Sequence, residues 1–135
     1  MYKNKFFTYA KHKIFIEDKK AVTKILSSKF LTQGPKINEF ENKISKKVKS
    51  KYAVAVNSAT SALHLSCLCI GLKKNDLVWT SPNSFVASAN CALYCDCKVD
   101  FVDIDIETYN ISISKLNEKL KLAKRKNNLP KAVII

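Results

Sequence analysis

Two rhythms of apolar positions run along the chain, and the places where one gives way to the other define its elements. Ala21, Val22, Ile25 and Leu26 recur at helical spacing behind Glu17 and Asp18, which predicts a helix over 16–29 with acidic residues in its first turn. Phe30-Leu31-Thr32-Gln33-Gly34-Pro35 breaks that pattern, the Gly-Pro pair being strong punctuation. Ile37, Phe40, Ile44 and Val48 then form the stripe of a second amphipathic helix. From Tyr52 to Val56 the residues are small or β-branched and apolar, as in a strand buried on both faces. Five small or polar residues follow, Asn57 to Ser61, and helical spacing resumes through Leu63, Leu65, Leu68 and Ile70, with Gly71 as a natural C′ residue. Asp76–Thr80 reads as a second strand, Ser81–Ser84 as a turn and Phe85–Leu93 as a small-residue helix. Lys98–Asp103 is a third strand, Ser114 can cap a helix carrying Leu116, Leu120, Leu122 and Ala123, and Lys131–Ile135 starts a fourth strand beyond Pro130.

Strands separated by helical patterns mean βαβ units, right-handed crossovers and a mostly parallel sheet with flanking helices, so the fold class is α/β. The last run is fully apolar and such a strand wants cover on both faces. This predicts the N-terminal piece of a longer protein, its sheet cut off at the fourth strand.

Composition narrows the function. The 135 residues are 47% hydrophobic, which suits a packed domain rather than a disordered chain. No apolar run approaches the ~20 residues of a membrane span. Charge near Met1 is not followed by the apolar core of a secretory signal, so a cytoplasmic protein without a membrane partner is expected. The net charge of +13 invites a nucleic-acid reading. Against it, Arg125 is the single arginine and the lysines are spread over most segments, whereas nucleic-acid recognition recruits arginine forks. Solvated helix faces explain the charge better, and no nucleic-acid partner is expected. Cys67, Cys69, Cys91, Cys95 and Cys97 contain no C-x-x-C pair, and an odd count without a signal sequence fits reduced thiols acting as small buried apolar residues.

Candidate chemistry concentrates where Tyr52–Val56 meets Asn57–Ser61. A strand, a short polar turn and a helix start form an anion site in many α/β proteins, because the first helical N–H groups are unpaired and the helix dipole favours negative charge there. The plainer reading is that Asn57 or Ser58 simply caps a helix. Asp103 and Asp105, near a strand end, read as turn and capping residues.

Taken together, FLTQGP, the N-EFE stretch, KYAVAVNSATSALHL, DLVWTSPNSFVASAN and KVDFVDID followed by TYNIS resemble the start of the DegT-type nucleotide-sugar aminotransferases. These are fold-type I enzymes that depend on pyridoxal 5′-phosphate (PLP). The resemblance covers nearly the whole chain, in order and in register. Ala59, where the wider family usually has Gly, together with Phe30, Leu31 and Asn83 points to the branch that aminates C4 in pseudaminic acid biosynthesis.

The resemblance implies the N-terminal part of a fold-type I large domain, with residues 1–35 contributing to the substrate site and 36–135 forming an incomplete PLP-binding domain. It implies that Ser58, Ala59 and Thr60 hold the cofactor phosphate and that Phe85 stacks on the pyridine ring; without it, Phe85 is an ordinary core aromatic. It implies that Tyr9, Lys29, Phe30, Leu31, Thr32 and Ala59 line the site for a UDP-linked keto or amino sugar, with glutamate as amino donor and a homodimer when the protein is full length. The family's Schiff-base lysine lies beyond Ile135, so no catalytic residue is assigned and the 135 residues alone are expected to be inactive. Asp96 stands where the family commonly has Gly after a helix, which asks an Asp to adopt left-handed geometry. Two other readings stay open: a non-catalytic α/β nucleotide- or anion-binding module, opposed by the absence of G-x-G-x-x-G, and an inactive remnant of the enzyme.

Overall fold

The computed structural model describes residues 11–135, which divide into two compact units, the first ending at Ala55 and the second running from Val56 to Ile135. The described part of the first unit carries α1 (Ile16–Leu26) and α2 (Pro35–Val48). Asp18 accepts the Phe15 N–H at 2.8 Å, so the acidic first turn read from sequence does cap the helix. α1 stops at Leu26, earlier than the periodicity suggested, because Ser27 and Ser28 bond back to Thr23 and Ile25 carbonyls and close the last turn. Pro35 opens α2, where its missing N–H costs nothing. Gly34 before it is tight: a Cβ there would meet the Phe30 Cβ at 3.0 Å. Neither helix contains a buried residue.

The second unit is an α/β layer structure. Its elements are α3 (Ala59–Cys69), β1 (Leu77–Thr80), α4 (Ala87–Leu93), β2 (Lys98–Phe101), α5 (Ile113–Arg125) and β3 (Ala132–Ile134). The strands form a parallel sheet of order β2-β1-β3. Alternation along β1 sends Val78 to one face and Trp79 to the other, both almost fully buried. Val78 packs with Cys67 of α3, Cys91 and Ala92 of α4, and Leu72, Cys95 and Cys97. Trp79 packs with Val102 and with Ala123, Leu116 and Leu120 of α5. Helices thus cover both faces, as a parallel sheet requires.

Four further expectations need correction. Tyr52–Val56 forms no strand; it runs extended and exposed, with Val54 78% accessible. It makes no strand pairing among the described residues. α5 is capped by Ser112, whose Oγ accepts the Lys115 N–H at 3.4 Å, not by Ser114. Of the cysteines, Cys67, Cys91, Cys95 and Cys97 are buried as expected, but Cys69 is exposed. α4 also begins two residues later than Phe85, which leaves that aromatic in the preceding loop. Asp96 does take the left-handed conformation, at φ 56°.

Candidate functional site

The start of α3 is built by its own side chains. Ser58 sits extended at the N-cap, and its Oγ accepts the Ser61 N–H at 3.1 Å while its carbonyl accepts the Ala62 N–H. The Ser61 hydroxyl donates to Asn57 Oδ1 at 2.7 Å and accepts from Ser58 Oγ at 3.1 Å. The third and fourth N–H groups of the turn are therefore spent, and the Ser58 hydroxyl is committed as the cap. The Ala59 and Thr60 N–H groups and the Thr60 hydroxyl have no partner among the described residues. No acidic side chain occupies the first turn. Two free N–H groups, a free hydroxyl and the positive end of an eleven-residue helix make an arrangement complementary to a phosphate. The residues present fit the phosphate of PLP at this turn.

Phe85 lies in the loop that joins β1 to α4 and is 73% exposed, so it is not a core aromatic. It belongs to the same unit as the α3 turn. A large apolar ring left to solvent at the carboxyl end of a parallel strand is available to cover a flat ligand. Lys29, Phe30, Leu31 and Thr32 belong to the first unit, in the connection between α1 and α2. Phe30 and Leu31 are more than half exposed and border a recess of about 170 Å³ with Gly34 and Pro35. Tyr9 lies outside the described residues. Ala59 is exposed at the first position of α3.

Asp103 and Asp105 serve the backbone, as read from sequence. Asp103 accepts the Ile104 N–H, and Asp105 accepts the N–H groups of Glu107 and Thr108 and the Thr108 hydroxyl at 2.9–3.1 Å. Those bonds, Thr108 first, hold the Asp105 carboxyl below its ordinary range. Two residues escaped the sequence reading. Asn57 locks Ser61 rather than capping the helix, and Glu41 accepts the Ala55 N–H at 2.8 Å, tying α2 to the run ahead of the turn. The Glu41–Ala55 bond spans fourteen positions and leaves no local signal, whereas Asn57 and Ser61 are four apart and the sequence could not tell this bond from an Asn57 cap.

Comparison with known proteins decides the family. Residues 13–135 match the DegT/DnrJ/EryC1/StrS aminotransferase family. The chain belongs to that family. Among similar aminotransferases, the UDP-4-amino-4,6-dideoxy-N-acetyl-beta-L-altrosamine transaminase of Campylobacter jejuni is 42% identical over 113 residues, covering 84% of this chain and 30% of the relative. A DegT DnrJ EryC1 StrS aminotransferase from Brucella abortus shares the fold at a TM-score of 0.75 and 24% identity, over 85% of this chain and 31% of that one. The putative sugar aminotransferase Spr1654 from Streptococcus pneumoniae, solved in its PLP form, superposes at a TM-score of 0.72 with 26% identity, over 78% of this chain and 27% of that one. The chain thus spans about 30% of the length of the curated relative it matches.

Proposed function

We propose that this chain is the cofactor-anchoring N-terminal part of a PLP-dependent aminotransferase that moves an amino group from glutamate to C4 of a UDP-linked 4-keto-6-deoxy amino sugar. The observation that carries the reading is the pair of N–H groups at Ala59 and Thr60, unpartnered among the described residues, in a chain of this aminotransferase family. When bound, PLP supplies the carbanion chemistry of amino-group transfer. In this reading the Ala59 and Thr60 N–H groups and the Thr60 hydroxyl hold the phosphate, Ser58 and Asn57 keep those groups free and aimed outward, and Phe85 covers the ring. Residues 1–35, with Tyr9, Lys29, Phe30, Leu31 and Thr32, contribute to the sugar-nucleotide site, and 36–135 carry the cofactor. The sugar assignment is supported by the 42% identity to the Campylobacter jejuni transaminase. The same likeness supports a role in pseudaminic acid or related surface-glycan synthesis and a homodimeric enzyme. Five free thiols, four of them buried, support a cytosolic setting; no described helix is long and apolar enough to cross a membrane.

Thr60→Ala tests the reading in the enzyme that contains this chain. Loss of one hydrogen bond to a charged group should weaken PLP by roughly 1.5–3 kcal/mol, measured by equilibrium dialysis at matched pH. Unchanged PLP affinity would return Thr60 to the role of an ordinary helix-start residue.

A further inference from the structure

β2 is an end strand of the sheet, and side chains of the same unit close half of its outer edge. Along a strand, the N–H and C=O of one residue point to the same side, and successive residues alternate sides. The Lys98 and Val102 N–H groups donate to the Asp76 and Thr80 carbonyls at 2.8 and 2.9 Å. Lys98 and Asp100 therefore turn their backbone groups towards β1, while Val99 and Phe101 turn theirs outward. Outward groups of this kind are a template on which another strand can add.

Both outward groups of Phe101 are already taken. Its N–H donates to Asp100 Oδ1 at 2.8 Å, and its carbonyl accepts from Lys119 Nζ at 2.5 Å. The same ammonium pairs with Asp100 Oδ2 at 2.6 Å and lies 4.9 Å from the centre of the Trp79 ring. The Lys119 hydrogen bond, first, and the Phe101 N–H hold the Asp100 carboxyl below its ordinary range, so the pair is charged at neutral pH. Lys119 is also held in place: its side chain is 28% exposed, against 59% for Lys115 one turn earlier on α5. Lys115 reaches Glu118 only at 3.9 Å and is ordinary surface charge. The Phe101 ring, by contrast, is 48% exposed, so without the pair β2 would offer an added strand free backbone groups beside apolar surface.

We infer that the Lys119–Asp100 pair keeps the outer edge of β2 closed to strand addition, and that the partner it excludes is β2 of a second copy of this chain. Charge complementarity selects that partner. When two copies meet antiparallel with Val99 facing Val99, Lys98 of each stands opposite Asp100 of the other on the same face, a favourable cross-strand pair. In the closed state Asp100 is committed to Lys119 and the Phe101 groups are occupied, so this pairing has neither its charges nor its full ladder. The inference does not depend on the aminotransferase reading.

Sedimentation velocity of the 135-residue chain and its variants at matched concentrations tests it, with hydrogen exchange of the Val99 amide as the local readout. Lys119→Met keeps an apolar stem on Trp79 but removes the ammonium. It should sediment at twice the wild-type mass, and its Val99 amide should exchange more slowly as concentration rises, which unfolding or non-specific clumping would not produce. Lys119→Arg, which can still pair with Asp100, and Lys115→Met, which removes the same charge from the solvated position, should both keep the wild-type mass. A folded Lys119→Met of wild-type mass, equal association in Lys115→Met, or a heavier species with unchanged Val99 exchange would overturn the inference. Should circular dichroism show Lys119→Met unfolded, Asp100→Ala decides in its place. That change frees the Phe101 N–H and withdraws the counter-ion of Lys119, so association with a slowed Val99 amide supports the inference and wild-type mass overturns it.

Discussion

At the scale of single residues, burial decides reactivity. Burial first, and the neighbouring Cys91 second, pushes the Cys67 thiol up to about 11, and burial raises Cys95 and Cys97 as well. Thiolate is the reactive form, so these groups are inert in the folded chain. Cys69 is exposed on α3. A disulfide reagent at pH 8 should therefore modify one thiol quickly and the other four only after denaturation, counted by mass spectrometry. Rapid native labelling at Cys67 would contradict the packing. Asp76 gives the pH dependence. Its carboxylate accepts the Lys73 N–H at 2.9 Å and pairs with Lys131 at 3.1 Å, and these contacts, Lys73 first, lower its pKa. A depressed carboxyl contributes stability that is complete above its ordinary pKa of about 4 and is lost as pH falls through the lower folded value. The Tm gap between wild type and Asp76→Asn should be widest near neutral pH and close below about pH 4. A gap that stayed constant to strong acid would remove Asp76 from the acid response.

At the scale of elements, local chemistry was readable and pairing was not. Gly71 was legible as the end of α3 because the left-handed position after a helix selects glycine. It sits at φ +69°, with the Leu72 N–H bonded to the Cys67 carbonyl and the Gly71 N–H to the Leu68 carbonyl, and Leu72 then folds into the core. A Cβ on Gly71 would meet nothing within 4 Å, so Gly71→Ala carries only backbone strain. It should cost about 1 kcal/mol in denaturant unfolding, and Gly71→Asn less. A loss several times larger would mean that contacts rather than conformation matter there. Tyr52–Val56 shows the opposite case. Its apolar pattern reports what the side chains prefer, yet a strand also needs a neighbour, and neighbours are set by long-range pairing that no local window contains. Ser112 and Ser114 illustrate a smaller ambiguity: both can cap, their hydroxyls lie 3.0 Å apart, and only tertiary burial of Ser112 distinguishes them.

At the scale of the whole molecule, the alternation of strand and helix gave the parallel α/β sheet, because period and turn chemistry are local properties of the chain. The strand order β2-β1-β3 and the outer edge it gives β2 were not legible, since crossovers of either direction leave the same periodicity. The phosphate turn was legible as a candidate from Ser58 to Thr60; which donors remain free depends on Ser58, whose hydroxyl and carbonyl take the Ser61 and Ala62 N–H groups, a choice between Asn57 and Ser58 as cap that the sequence left open. The account stands or falls on those two free N–H groups. The most direct measurement is an amide-shift titration of the ¹⁵N-labelled chain with pyridoxine 5′-phosphate, which carries the cofactor's phosphate and ring but no aldehyde to react with lysines. The account predicts the largest shifts at Ala59 and Thr60, with a ring-current shift at Phe85, and none of these with unphosphorylated pyridoxine. Shifts scattered over the lysine-rich helices, with Ala59 and Thr60 unmoved, would contradict it.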